Sequence, residues 1–553
     1  MTRYFLVNNA SRAAVYGIGT FIRHMTDYIY NNQPQYDFCI LDIYSDVKEF
    51  TVDEDENGVS HYKVPSYNGY GTNFSYYRCI LFLLSSYIKD EENVIFHFNF
   101  GQHYDFIRLI KEKYRFSRIL FTIHYFNWCF TLNGNLTRFR KLINDNSDEP
   151  IKVNIQNEFN KGKRLYSLCD GVIVLSKFTY DLLRKDYGID ESKIHLIYNG
   201  MKEDSNIVEY CNEDKDVKEI LYVGRLDEIK GIEYIIKAFK QIALHDENVR
   251  LLFVGDGNFS QYLTLCEGIW EKVTFTGKVE KEKLEQFYKR ATIGVQPSFH
   301  EQCSYSAIEM MAHGIPLIAT DSTGLGEMMD YTPECMVHID EENFQPEEFV
   351  GQLAEKMKLL LSDRQLRGNS SRKLRQLFHE RYNLCCMGNA MRDMLSSCEL
   401  KDNSISKDFL PYIDDEMIRL INERPVLDLD YVGLTGIGCY LWWRIETLRS
   451  QDGKACESTL VMLQEYLIYY IDWMSDVLEN AGKDAFSSCF EPVPLNWLLS
   501  SLIDAGFYKT KVDSVMRLIL SFGIDIKIEN REDFDVSEIS RTALKIFNLN
   551  LQR

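Results

Sequence analysis

Through the first 398 residues, short apolar runs of strand length alternate with stretches of helical spacing, a pattern that predicts α/β structure. TRYFLV (2–7), FCILDIY (38–44), VIFHF (94–98) and RILFTIH (118–124) read as strands. CDGVIVLSKFTYDLL (169–183) reads as strand, turn and helix, and KIHLIYNGM (193–201) as strand and turn. Further on, EILYVGRLDEIKGIEYIIKAF (219–239) predicts a strand, a tight turn and a helix with Ile232, Ile235, Ile236 and Phe239 on its apolar side. RLLFVGDGN (250–258) and KVTFTGKV (272–279) are strands ending in glycine, and TIGVQPS (292–298) is another strand end. Strand alternating with helix implies parallel sheets covered on both faces. Such sheets bind ligands at the carboxyl ends of their strands. After a polar break, LKDNSISKD (400–408), the spacing turns purely helical in EMIRLINERP, GCYLWWRIETL, ESTLVMLQEYLIYYIDWMSDVL, LNWLLSSLIDAGF and KVDSVMRLILSFG, predicting an all-α module of helical hairpins.

A chain of 553 residues exceeds one core. The expected division is 1–201, 202–398 and 409–553, with a linker in the acidic, unpatterned segment 202–218. The net charge of −20 is uneven, since residues 1–200 hold 23 basic and 23 acidic side chains, so the acidity belongs to the later parts. Nucleic-acid binding through phosphate neutralisation is excluded on that balance. Arg108, Lys111, Lys113, Arg115 and Arg118 accompany a helix whose apolar side is Ile107, Ile110 and Tyr114, and they read as a solvated face; the competing reading is peripheral contact with an anionic membrane. Fourteen cysteines without CxxC pairs, and no signal-peptide pattern at the start, predict free thiols in a reducing cytoplasm. The longest apolar stretch, Cys79 to Ile88, is too short to span a bilayer. The DEDE run at 53–56 reads as a polar loop rather than a metal site, and residues 131–150 as a polar, turn-rich insertion.

The candidate chemistry centres on His300 to Glu327, HEQCSYSAIEMMAHGIPLIATDSTGLGE. It predicts a loop, a helix with Ala307, Ile308, Met311 and Ala312 on its buried side and Gly314 at its end, a short strand, and a second glycine-bearing loop. Free N–H groups and the positive dipole end at the helix start would place Cys303, Ser304 and Tyr305 where an anionic group docks. Glu301 and Glu309 would stand about 80° apart on a continuous helix, so Glu301 is assigned to the loop and Glu309 to the helix. Upstream, Arg225 at a strand end and Lys230 at a helix start can converge on one diphosphate, the first as a planar fork and the second as a point charge. Gly17 and Gly19 form two-thirds of a GxGxxG fingerprint whose third position is Ile22, which disfavours a nicotinamide dehydrogenase. His124 lies at a strand end, and His97 and His103 near the preceding one, the last two without assigned roles.

These stretches resemble the retaining glycosyltransferases of group 1 (family 4), which have the GT-B fold of two facing Rossmann-like domains around a deep cleft. The resemblance rests on the Glu-x7-Glu pair, the Gly324 to Glu327 turn and the strand-turn-helix of Arg225 and Lys230, and it covers residues 1–398. It implies an N-terminal acceptor-side domain, to which 380–398 crosses back, and a second domain that binds a nucleotide-sugar donor. Glu309 would take the ribose hydroxyls, Glu301 and His124 would frame the transferred sugar, and backbone around Lys278 and Val279 would meet the nucleobase. Gly17 and Gly19 would let backbone approach the donor, and Arg225 and Lys230 would hold its diphosphate. No catalytic metal or other cofactor is expected, and retention would follow a front-face route. The acceptor would be a hydroxyl on a surface glycan, lipid carrier or peptide. An epimerase or phosphorylase on the same fold, or a non-catalytic scaffold, are the competing classes. GLTGIGCYLWWRI (433–445) resembles one repeat of the lanthionine-cyclase-like helical toroids; no histidine follows His379, so their zinc chemistry is not expected. The tail would serve acceptor or partner binding, or would be structural, mediating oligomerisation or bracing the two main domains.

Overall fold

The computed structural model describes residues 2–9, 17–33, 35–66, 73–89, 92–101, 103–114, 116–144, 150–203, 216–397, 433–450, 457–490 and 492–522, with the single positions 414, 417, 418 and 421. The chain divides into two compact units, one of residues 1–69 and 78–403 and one of 70–77 and 404–553. Most of the 202–218 segment and the 400–408 break lie outside the described residues, as does most of EMIRLINERP.

The first unit holds two sheets. Its strands are β1 (Thr2–Asn9), β2 (Tyr36–Ser45), β3 (Thr51–Glu54), β4 (Ser60–Pro65), β5 (Val94–Phe98), β6 (Ser117–Ile123), β7 (Gly171–Val174) and β8 (Ile194–Leu196), followed by β9 (Lys218–Val223), β10 (Val249–Val254), β11 (Val273–Phe275), β12 (Ile293–Gln296), β13 (Leu317–Thr320) and β14 (Met336–Val337). The first sheet runs β3-β4-β2-β1-β5-β6-β7-β8 and the second β11-β10-β9-β12-β13-β14. All pairs are parallel except β3 with β4. Strands buried on both faces need continuous apolar runs, and β5 and β6 are buried at every position. In each sheet the order reverses beside the first strand, β1 or β9, which opens a crevice at the strand ends.

Two features depart from the sequence reading. The DEDE run is not all loop: Asp53 and Glu54 belong to the edge strand β3, where Lys63 Nζ meets Asp53 Oδ2 at 2.9 Å across the pair. Charges on an outer strand protect its open edge, so a polar run and a short strand are compatible. The basic face is also not solvated. Arg108, Lys111 and Arg118 are 1%, 9% and 3% exposed, and Lys111 Nζ pairs with Asp170 at 2.9 Å. The helix Tyr104–Lys113 lies against β6 and the helix Pro150–Leu168, and its long cationic stems are covered by that packing. The helix Asn127–Thr131 ends where the polar insertion begins, and the insertion itself carries the helix Leu136–Asn144, whose Phe139 stacks on Trp128 at 4.1 Å.

The helix Leu384–Ser397 packs on the helix Gly17–Asn32 beside the first sheet, and Tyr28 Oη donates to Asn389 Oδ1 at 3.2 Å. Among the described residues no helix is long and apolar enough to cross a membrane. The second unit contains the helices Gly433–Arg449, Glu457–Cys489, Pro492–Asp504 and Lys509–Ser521 around a core that includes Trp442, Leu467, Tyr470 and Leu498. A β-carbon on Gly438 would stand 2.3 Å from the Tyr470 ring, so only glycine permits this helix crossing. Within this core Asp414 accepts from Tyr440 Oη at 2.7 Å and from Arg444 Nε at 3.1 Å.

Candidate active site

The second sheet positions the charged groups. Past the end of β9, Tyr222 Oη donates to the Arg225 carbonyl at 2.7 Å and holds the turn that presents Arg225. Arg225 Nη2 lies 3.0 Å from Asp227, and a 3-10 turn over Glu228–Lys230 leads into the helix Ile232–Ala243. Lys230 Nζ contacts Glu301 Oε1 at 2.5 Å, with both side chains largely buried.

Glu301 sits in the loop after β12, and that loop is pinned. Thr323 Oγ1 accepts from the Glu301 N–H at 3.0 Å and donates to its carbonyl at 2.7 Å, while Gly324 N–H reaches the same carbonyl at 2.8 Å. A β-carbon at Gly324 would stand 1.8 Å from the Gln302 carbonyl, so this close approach requires glycine. The helix then starts at Tyr305. Ser304 is its cap, accepting from the Ala307 N–H at 3.4 Å and donating to Gln296 Oε1 at 3.1 Å. The Ser304 hydroxyl is thus committed to the fold, so an anion docking at this helix start would meet backbone N–H groups instead. Burial raises the Cys303 thiol, which stays protonated, and its carbonyl accepts from Asn199 Nδ2 at 2.7 Å.

These groups line a cleft of about 740 Å³ together with residues from the first sheet. Of the sequence-predicted positions, Gly17, His124, Arg225, Lys230, Val279, Glu301, Cys303, Ser304 and Tyr305 border it, as does Lys278. Gly19 does not: it is buried on the inner side of its helix, because 200° of rotation separates it from Gly17 whereas Thr20 returns to the cleft side. Glu309 lies outside this lining, on the helix beyond Tyr305 and Ser306, and accepts from Tyr288 Oη at 2.5 Å. Burial, outweighing that hydrogen bond, holds its carboxyl above the usual carboxylate range.

His124 Nε2 donates to Asn99 Oδ1 at 3.0 Å, leaving Nδ1 as the acceptor of the neutral ring, and the ring packs edge-on to Phe21 at 4.8 Å. Burial lowers its pKa to about 3. His97 is consumed internally between Tyr4 Oη at 2.7 Å and Thr122 Oγ1 at 2.6 Å. His103 is buried and also outside the cleft lining. At the far end of the glycine-bearing segment, Glu327 accepts from the Lys177 N–H at 2.8 Å and Tyr198 Oη at 2.7 Å, tying the second sheet's domain to the first. Among the described residues no three His, Cys, Asp or Glu side chains gather as a metal-ligand set.

Sequence reasoning missed His300, Gln302 and Asn199, all buried cleft-lining residues with polar atoms that lack a protein partner. No local pattern distinguishes such residues from ordinary loop polarity; the only signal was adjacency to Glu301 for two of them.

Comparison with known proteins agrees with this architecture. Residues 52–205 match the family described as Glycosyltransferase Family 4 and residues 217–363 that described as Glycosyl transferases group 1, together more than half of the chain. An uncharacterized glycosyltransferase of Methanocaldococcus jannaschii is 34% identical over 180 residues, which is 30% of this chain and 46% of the relative. The mannosylfructose-phosphate synthase of Agrobacterium fabrum is 31% identical over 212 residues, 34% of this chain and 46% of the relative. The chain thus spans about half the length of these curated relatives. Among solved structures, the sucrose-phosphate synthase of Thermosynechococcus elongatus superposes with a TM-score of 0.56 at 18% identity, over 72% of this chain and 98% of its own. An Anabaena protein solved with UDP and glucose does so at 0.53 and 14%, over 72% and 100%. The two sheets have the GT-B arrangement of these structures, and the chain belongs to the group 1, family 4 glycosyltransferases.

Proposed function

We propose that the chain is a retaining, metal-independent glycosyltransferase that moves a sugar from a nucleoside-diphosphate donor to a hydroxyl on a glycan, lipid carrier or peptide. One observation carries this reading: Arg225, Lys230 and the first turn of the helix at Tyr305 border the same cleft as Glu301 and His124. Breaking a sugar–phosphate bond builds negative charge on the leaving diphosphate, and cations with aligned N–H groups favour that state over the ground state. Residues 202–398 would hold the donor, with the Lys278–Val279 backbone at the base; Glu309, outside the cleft lining and bonded to Tyr288, would have to exchange that partner to take the ribose. Residues 1–201, with 380–398 crossing back, would present the acceptor near His124, whose neutral ring can orient a hydroxyl. The departing phosphate would assist the incoming hydroxyl on the same face, so no protein nucleophile is required. Cleft closure would exclude water and limit hydrolysis. The helical unit at 409–553 would bind the acceptor or its carrier, and the whole would work in the cytoplasm.

The test is a thermal-shift screen of nucleoside diphosphates and their sugars, followed by product analysis. A bound nucleotide raises the unfolding temperature by mass action. The expected product keeps the donor's anomeric configuration in the NMR spectrum, and its yield is unchanged by EDTA. An inverted anomer would refute the front-face route, EDTA sensitivity would refute metal independence, and absence of any nucleotide shift would refute the donor site.

A further inference from the structure

Past Phe130 and Arg225 the cleft does not end. Phe130, Arg225 and Ile229 also line a second depression of about 480 Å³, and that one shares Asn133, Glu228 and Gln261 with a cavity of about 950 Å³, larger than the cleft itself. The three lie in series, as a groove that leads away from the reaction centre between the domains of the two sheets. Contacts across those domains fix its outer end. Asn135 Nδ2 donates to the Glu341 carbonyl at 2.6 Å, and the Thr137 N–H and hydroxyl both donate to Glu341 Oε2 at 3.0 Å. Gly134, at a φ of +72°, turns so closely over the Phe299 carbonyl that a β-carbon would stand 2.3 Å from it. The polar insertion is thereby docked on the second domain, and the protein itself holds the cavity's shape.

The lining selects the occupant. Phe130 is 46% exposed at the junction, and Phe178, Tyr234, Phe299 and Phe344 present partly exposed rings to the outer cavity. Between the rings stand the amides of Asn133, Asn135 and Gln261. Rings offer flat apolar faces, and amides offer hydrogen-bond donors and acceptors beside them; a pyranose has the matching make-up, with C–H faces and a rim of hydroxyls. A lipid tail would strand the polar groups. The outer cavity also carries five carboxylates against one cation, Arg138, so a polyanionic chain is repelled. A basic peptide would find most of those carboxylates engaged: Glu233 pairs with Lys237 and Asp321 with His338, while Asp340 and Glu341 accept from backbone N–H groups.

We infer that this groove holds the uncharged sugar chain of a glycan acceptor whose reacting hydroxyl faces His124, with Phe130 stacking on a sugar ring at the junction. This rests on the transferase reading above and narrows its acceptor to one class.

The test is binding of the full chain to a printed array of neutral and sulfated oligosaccharides, from monosaccharides to hexasaccharides, with oligolysine spots alongside. Calorimetry of the best neutral series and its sulfated counterpart follows. Affinity is expected to rise with chain length, and to be about tenfold weaker or more for the sulfated chain at low salt. Phe130→Ala is expected to bind the neutral chain about tenfold more weakly, the loss of one stacked ring, and Phe130→Trp to restore it. Gln261→Trp, which fills the groove beyond the junction, is expected to remove the gain from added units while short chains still bind. Binding of sulfated chains or oligolysine in place of neutral sugars, binding without length dependence, or no loss in either variant would overturn the assignment. So would the absence of sugar binding in a parent that binds UDP or GDP, which leaves the donor site in place. Sugar binding without nucleotide binding would refute the donor site alone, and if neither binds, both readings fail.

Discussion

Lys230 and Glu301 form a pair whose two halves should act oppositely on donor binding. Their charged atoms are 2.5 Å apart, and the side chains are 17% and 18% exposed, so the contact is shielded from solvent on most sides. On the proposed donor site, removing the ammonium by Lys230→Ala deletes one charge-assisted contact to the diphosphate, about 1.5–3 kcal/mol, or roughly 10- to 150-fold in affinity. It also leaves the Glu301 carboxylate without its cation, next to an anionic ligand, which places the expected loss toward the upper end. Glu301→Gln does the reverse, because it frees the lysine from a competing anion. Its expected affinity for the bare diphosphate is unchanged or tighter, whereas transfer should fall strongly if Glu301 stands beside the sugar as proposed. Calorimetric titration with UDP and GDP, together with the double variant, separates these terms. If Lys230→Ala bound the diphosphate within twofold of the parent, or if Glu301→Gln weakened it as much as Lys230→Ala, the reasoning would be wrong.

Three further outcomes are expected. Gly324→Ala drives a β-carbon to 1.8 Å from the Gln302 carbonyl, and a destabilisation at or above the upper end of the ~1–3 kcal/mol range for overpacking should appear in thermal unfolding together with loss of nucleotide binding. The folded chain holds the Glu309 proton more tightly than the unfolded chain does. Its share of stability is therefore present below the ordinary carboxylate pKa of about 4.3 and is lost as pH rises through its raised value. Urea unfolding should accordingly show Glu309→Gln gaining on the parent as pH goes from 4 to 7 on the conventional scale, about the window just given, and a flat difference would count against the burial argument. In the helical unit, Arg444→Met strands Asp414, 2% exposed, without its cation, at about 3–5 kcal/mol; the double variant with Asp414→Leu should recover most of that loss in thermal unfolding.

The sequence by itself determined most of the inner strands, though not β3, β4 or β14, and the local shape of the charged segment. β5 was delimited by its apolar run alone, and β1, β2, β6 and β9 to within two residues. The division of the Glu301–Glu309 segment into loop and helix, with Ser304 beside the helix start, was legible because capping and helical periodicity are short-range properties. Tertiary structure decided what touches what. Arg108, Lys111 and Arg118 carry the local signature of a solvated face, yet the helix is roofed by neighbours far away in sequence. The edge strand β3 exists only because β4 pairs with it, and Gly19 turned inward because helix phase relative to the sheet is a packing property. The contact between Lys230 and Glu301 spans 71 residues. Periodicity along a chain records which face of an element is apolar. The cost of a buried polar atom depends on every neighbour around it, and those neighbours are assembled only by the fold.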